Sequence, residues 1–101
     1  MRISQEISTG IATMSLSGRF DFNTHREFRD VYESLIKTDG VKALDIDLGG
    51  VDYLDSSALG MLLLAKEKTS ANNIRLRLTN SKGTVRQILD IANFGKIFTL
   101  A

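Results

Sequence analysis

The sequence predicts one α/β domain on a mixed sheet, in the element order ββαβαβαβ, with the helices mainly on one face. Three observations carry this. Segments with a two-residue apolar period alternate with segments of helical period. The first two strands are separated only by a turn, whereas each later strand follows a helix, so the opening pair is antiparallel and the rest are parallel. A central strand places Leu44, Ile46 and Leu48 on one side and Asp45 and Asp47 on the other, so one face of the sheet stays wet. The chain has 101 residues, 43% hydrophobic and 25% charged, with no proline, repeat or composition shift, and residues 1–101 therefore read as one folding unit.

Taken in order, Ile3, Gln5 and Ile7 alternate, Thr9-Gly10 supplies a turn, and Ala12, Met14 and Leu16 line one face before Gly18, which gives a hairpin of two short strands. Thr24 followed by Glu27 has the capping-box spacing that starts a helix. Phe28, Val31, Tyr32, Leu35 and Ile36 supply its apolar stripe, and Gly40 is placed to stop it. The next strand spans 43–48. A second helix begins near Ser56, a strand alternates Leu76 and Leu78 with Arg75 and Arg77, and a third helix carries Val85, Ile88, Leu89 and Ala92 before Gly95. Residues 97–100 form a last short strand.

Composition excludes several functions. Zero cysteines remove disulfides and thiolate chemistry, which fits a reducing cytoplasm. Thirteen basic residues nearly balance twelve acidic ones and are scattered, so no nucleic-acid or membrane partner is expected. The longest mostly apolar stretch, 58–65, is far below the roughly 18 residues a membrane span needs, and the N-terminus lacks a leader pattern.

The segment Val51-Asp52-Tyr53-Leu54-Asp55-Ser56-Ser57-Ala58-Leu59-Gly60 is unlike the rest, because small polar residues sit where a strand gives way to an apolar helix. Asp55 or Ser56 can simply cap that helix. The same terminus, with its free N–H groups and positive dipole end, also favours a phosphate. On a helical wheel Ala58, Leu59, Met61, Leu62 and Ala65 gather on the core side. Ser56, Gly60, Leu63, Leu64 and Glu67 gather opposite, where two leucines beside a glycine form a candidate docking patch headed by Ser56.

Asp55-Ser56-Ser57-Ala58-Leu59-Gly60, after the 43–48 strand and its Asp52-Tyr53-Leu54 lead-in, resembles the phosphorylation loop of anti-sigma factor antagonists in the STAS domain family. Gly18-Arg19-Phe20-Asp21 is similar to that family's second-strand exit, and the likeness in length and element order covers nearly the whole chain. The resemblance implies a STAS domain over residues 1–101 acting as a cytoplasmic, phosphorylation-controlled switch with no catalytic residues, metal or cofactor. Ser56 corresponds to the phosphate acceptor and Ser57 to its neighbour. Asp55, Ser56, Ser57, Gly60, Leu63 and Leu64 form the expected partner-binding set. The expected partners are an anti-sigma factor with serine kinase activity and a serine phosphatase. Where members often carry glycine after the second serine, this chain has Ala58, which narrows backbone freedom at the junction.

Two other readings use the same residues. A STAS scaffold or ligand carrier would keep the fold without phosphorylation. A Mg²⁺-dependent phosphoryl-transfer enzyme would draw on Asp45 and Asp47, with Asp52 and Asp55, since hard cations take oxygen ligands. No glycine-rich phosphate loop accompanies those acids, which read as solvated strand residues, and the lone His25 reads as a solvated helix residue.

Overall fold

The computed structural model describes residues 1–101. Its elements are β1 (Arg2–Ser8), β2 (Ile11–Phe20), α1 (His25–Ile36), β3 (Ala43–Leu54), α2 (Ser56–Ala71), β4 (Arg75–Thr79), α3 (Gly83–Ile91) and β5 (Thr99–Leu100). Short 3₁₀ turns, Phe22–Thr24 and Phe94–Lys96, precede α1 and β5. The expected order ββαβαβαβ is the observed one.

The five strands lie side by side in chain order, β1–β2 antiparallel and every later pair parallel. Right-handed crossovers in a sheet that grows in one direction carry all three helices over the same face. The burial pattern follows: Ala12, Met14 and Leu16, Leu44, Ile46 and Leu48, and Leu76 and Leu78 are buried beneath the helices. Phe28, Tyr32 and Leu35 of α1, Ala58, Met61, Leu62 and Ala65 of α2, and Val85 and Leu89 of α3 complete one core with them.

The hairpin turn uses left-handed φ values at both Thr9 (+53°) and Gly10 (+81°), the pattern of a type I′ turn that matches strand twist. Gly10 is needed twice over, since a Cβ there would also come within 3.2 Å of the Gly40 carbonyl oxygen.

Several sequence expectations are corrected. The Thr24 capping box does not form: the Thr24 hydroxyl donates to the Asp21 carbonyl at 2.7 Å and makes no cap bond. Asp21 caps instead, its carboxylate accepting from the Asn23 N–H at 3.1 Å, because the chain enters α1 through the 3₁₀ turn. α1 ends at Ile36, before Gly40, which shapes the following turn with φ +86°. α3 is followed by Asn93 in the left-handed conformation (φ +60°), so the stop falls there and not at Gly95. The last strand is only Thr99–Leu100, because Phe98 turns into the core.

The largest difference is β3, which does not end at Leu48 but runs on to Leu54. Its register against β2 shifts after Ser15 and again after Gly18. At Gly50 the two backbones approach so closely that a Cβ would lie 2.7 Å from the Ser17 Cβ and 2.9 Å from the Leu16 carbonyl oxygen. The Gly49-Gly50 pair, just beyond the expected strand end at Leu48, is what lets the strand continue through an irregularity.

Candidate functional site

β3 delivers the chain to the N-terminus of α2, and Asp55 makes the junction. Its backbone is extended (φ −102°, ψ 179°), as an N-cap requires, and one carboxylate oxygen accepts from the Ala58 N–H at 2.9 Å. The other oxygen accepts from the Phe22 N–H at 3.4 Å, and the Asp55 N–H donates to the Phe20 carbonyl at 3.3 Å. One residue therefore caps α2 and ties it to the exit of β2, across 33 residues of sequence.

With the cap supplied by Asp55, Ser56 is relieved of that task. Ser56 is the first residue of α2 and is exposed; Ser57 is half-buried. Neither hydroxyl makes a hydrogen bond within the chain. The Ala58 N–H is taken by Asp55, which leaves the Ser56 and Ser57 N–H groups without a partner in the chain, and the dipole of a sixteen-residue helix ends on them.

From Ser56 the outer face of α2 runs through Gly60 to Leu63 (39% exposed) and Leu64 (57%), spanning about 12 Å at 1.5 Å per residue. The inner face is as the wheel requires, except that Leu59 is only half-buried at the core margin. Gly60 is exposed, and a Cβ placed on it would meet no atom within 4 Å. The folded chain thus gives no steric reason for a glycine that weakens the helix.

The structure adds residues that sequence reasoning missed. Leu64 borders a niche of about 80 Å³ between α1 and α2, lined also by His25, Phe28, Arg29, Tyr32 and Met61. His25, read as merely solvated, stacks on Phe22 with centroids 5.4 Å apart and bonds through Nδ1 with the Phe22 carbonyl oxygen at 3.1 Å. Phe22 is itself 63% exposed. Tyr53 is exposed as well, with the Arg19 guanidinium 4.1 Å above its ring. Phe22 falls outside the helical stripe that begins at Phe28, which was the available signal; Tyr53 stood in plain view inside the 51–60 segment. Burial is also the first cause that raises the Tyr32 phenol above its ordinary pKa, with Glu33 adding to it and Arg29 opposing.

The acids of the enzymatic reading are engaged elsewhere. Asp45, expected to be solvated, takes a bidentate pair from Arg77 of β4, with Nε to Oδ1 at 2.9 Å and Nη2 to Oδ2 at 2.7 Å. That hydrogen bond holds Arg77 still more firmly protonated. Asp47 Oδ1 accepts from the Gly49 N–H at 2.8 Å. Asp45 and Asp47 are therefore not the open carboxylate pair that a hard cation takes. On the helix-free face a groove of about 650 Å³, lined by Arg2, Ser4, Ser15, Asp47, Asn80 and Lys82 among others, has Leu16 as its one apolar wall residue. It shares no residue with the Ser56 surface, and its polarity is unlike the mostly apolar lining of small-molecule pockets.

The STAS domain family model matches residues 2–101, nearly the whole chain. The chain belongs to the STAS family. It is 43% identical over 89 residues to a STAS-domain containing protein of Pseudomonas aeruginosa (strain UCBPP-PA14), covering 88% of this chain and 86% of that one. An anti-sigma factor antagonist from Mycobacterium paratuberculosis has the same fold, with a TM-score of 0.85 and 25% identity over 98% of this chain and 83% of that one. The Bacillus cell fate determinant SpoIIAA in its phosphorylated form superposes with a TM-score of 0.75 at 20% identity, over 99% of this chain and 91% of that one. The STAS fold places all of the candidate surface at the C-terminal ends of β2 and β3 and along α2. No helix is long and apolar enough to cross a membrane.

Proposed function

We propose that this STAS domain is a cytoplasmic anti-sigma factor antagonist and not an enzyme, a binding module whose complex with an anti-sigma factor is switched off by phosphorylation of Ser56. One observation carries the reading: Ser56 has a free, exposed hydroxyl at the positive end of α2, heading an exposed face with Gly60, Leu63 and Leu64. Asp55, Ser56, Ser57, Gly60, Leu63 and Leu64 form the docking surface, joined by Phe22 and Tyr53. The partner combines anti-sigma and serine kinase activity, and a serine phosphatase resets the switch. The likeness to anti-sigma factor antagonists, one of them in a phosphorylated form, supports this reading.

The physics gives the switch its direction. A phosphoserine carries about −1.5 to −2 charge at neutral pH, which the free N–H groups and dipole at the start of α2 accommodate without unfolding. The same charge stands beside Asp55 and at the head of an apolar surface. Docking a partner suited to the neutral hydroxyl would then strip water from that charge with no partner cation to meet it, at a cost of about 3–5 kcal/mol, or about a hundredfold to several-thousandfold in affinity.

The test is a phosphorylation assay with the cognate kinase and binding titrations on three variants. Ser56→Ala should refuse phosphate and keep binding, Ser56→Asp should weaken binding in part, and Ser57→Ala should still be phosphorylated. Phosphate entering Ser56→Ala, or full affinity in Ser56→Asp, would remove Ser56 from the mechanism.

A further inference from the structure

The two edges of the sheet differ. β5 offers two residues, whereas β1 offers seven with an unbroken register from Arg2↔Ser17 to Ser8↔Ile11. Ser8 and Ile11 flank a two-residue turn and so form a hydrogen-bonded pair; alternation then makes Arg2, Ser4, Glu6 and Ser8 the residues bonded to β2. The N–H and C=O groups of Ile3, Gln5 and Ile7 point away from the sheet. Natural edges are usually blunted by proline, a bulge or charged side chains, lysine above all; β1 has no proline, lysine or bulge, and its two charges, Arg2 and Glu6, are opposite in sign.

We propose that β1 is the interface of a two-fold dimer, in which a second copy of this chain adds its own β1 antiparallel, with Ser4 facing Ser4 across the axis. A two-fold axis perpendicular to the sheet keeps both helical layers on one side and sets residues of equal parity opposite each other. Charge selects among the registers it allows. With Ser4 on the axis, Arg2 faces the partner's Glu6 and Glu6 faces the partner's Arg2. Both are exposed, and neither belongs to any of the chain's own ion pairs, which are Arg19–Asp21, Arg29–Asp30, Arg77–Asp45 and Arg86–Asp90. In the same register Ile7, 46% exposed, meets the partner's Met1. Shifting the axis to Gln5 would set Arg2 against Ser8 and Glu6 against Ser4, losing both direct ion pairs. The helical layer packs on β2, β3 and β4, so a second sheet can join at β1 while the Ser56 face of α2 stays open. The dimer is independent of the phosphorylation reading.

The absence of cysteine makes the test clean. Ser4→Cys would sit at a non-hydrogen-bonded position opposite itself, at a Cα separation of about 4.5 Å that a disulfide spans. Under mild oxidation it should cross-link to a covalent dimer, and Gln5→Cys should not. In sedimentation the unmodified protein should dimerise with concentration. Arg2→Glu and Glu6→Arg should each raise the dissociation constant about tenfold or more by setting like charges face to face, and the double reversal should restore it. Melting temperatures unchanged at a dilution where the parent is monomeric will show that these exposed changes leave the fold intact. A protein that stays monomeric at millimolar concentration, cross-linking through Gln5→Cys in place of Ser4→Cys, or a dimer indifferent to both charge reversals would overturn the proposal.

Discussion

Replacing Gly60 by alanine should make this protein more stable and a poorer binder. Gly60 lies in the second turn of α2 in regular helix, and a helical glycine costs about 0.5–1 kcal/mol relative to alanine through the backbone entropy it loses on folding. In a packed position that gain could be cancelled by a clash. Here the added Cβ meets no atom within 4 Å, so nothing offsets it. The expected stabilisation is therefore about 0.5–1 kcal/mol, which for a domain of this size raises the melting temperature by about 2–8 °C. Urea denaturation should show a higher midpoint with an unchanged slope, since the buried surface is the same. If Gly60 is glycine because a partner lies against the helix at that point, the methyl group should weaken the complex while the fold strengthens. A variant of equal or lower stability would show that α2 is irregular at this position or that its surroundings are closed, and unimpaired binding would remove Gly60 from the docking surface.

Other perturbations separate core from surface on the same helix. Leu62→Ala, at a side chain with no exposure, should cost about 2–5 kcal/mol in chemical denaturation, and a loss below about 0.5 kcal/mol would mean that the faces of α2 are reversed. Changing Leu63 and Leu64 together to serine should lower the melting temperature by far less than Leu62→Ala does, through helix propensity and partial burial, and weaken the anti-sigma factor complex in a binding titration; a loss as large as that of Leu62→Ala would assign both to the core. Because the Tyr32 phenol is held above its ordinary value of 10.0, folding favours its neutral form, and that contribution is complete below pH 10.0 and lost as pH rises through the folded value. Stability measured across alkaline pH should therefore fall less steeply in Tyr32→Phe than in the parent, and identical slopes would exclude Tyr32 as a source of the fall.

Local patterning was enough to read the order of elements, the wet face of the sheet and the two sides of α2, because periods of 2 and 3.6 residues report which way each side chain points whatever lies opposite. The exposure of Leu63 and Leu64 follows from that spacing alone. So does the place of Ser56 at a helix start, for a run of small polar residues before an apolar helix marks a terminus.

What the sequence left open depended on partners distant along the chain. Asp45 reads as a solvated acid until β4 brings Arg77 beside it, and the strand reads as 43–48 until β2 passes so close to Gly50 that no side chain fits and the pairing runs on to Leu54. Thr24 has the spacing of a capping box, yet its hydroxyl goes to the Asp21 carbonyl because a 3₁₀ turn intervenes. The division of labour at the candidate site is of the same kind. Sequence allows either Asp55 or Ser56 to cap α2; Asp55 takes the task because its backbone is the extended one at the end of β3, with the Phe22 N–H of the 3₁₀ turn beyond β2 meeting its second oxygen, and that leaves the Ser56 hydroxyl unoccupied. Periodicity fixes a side chain's direction, but only the packed sheet decides what it meets there.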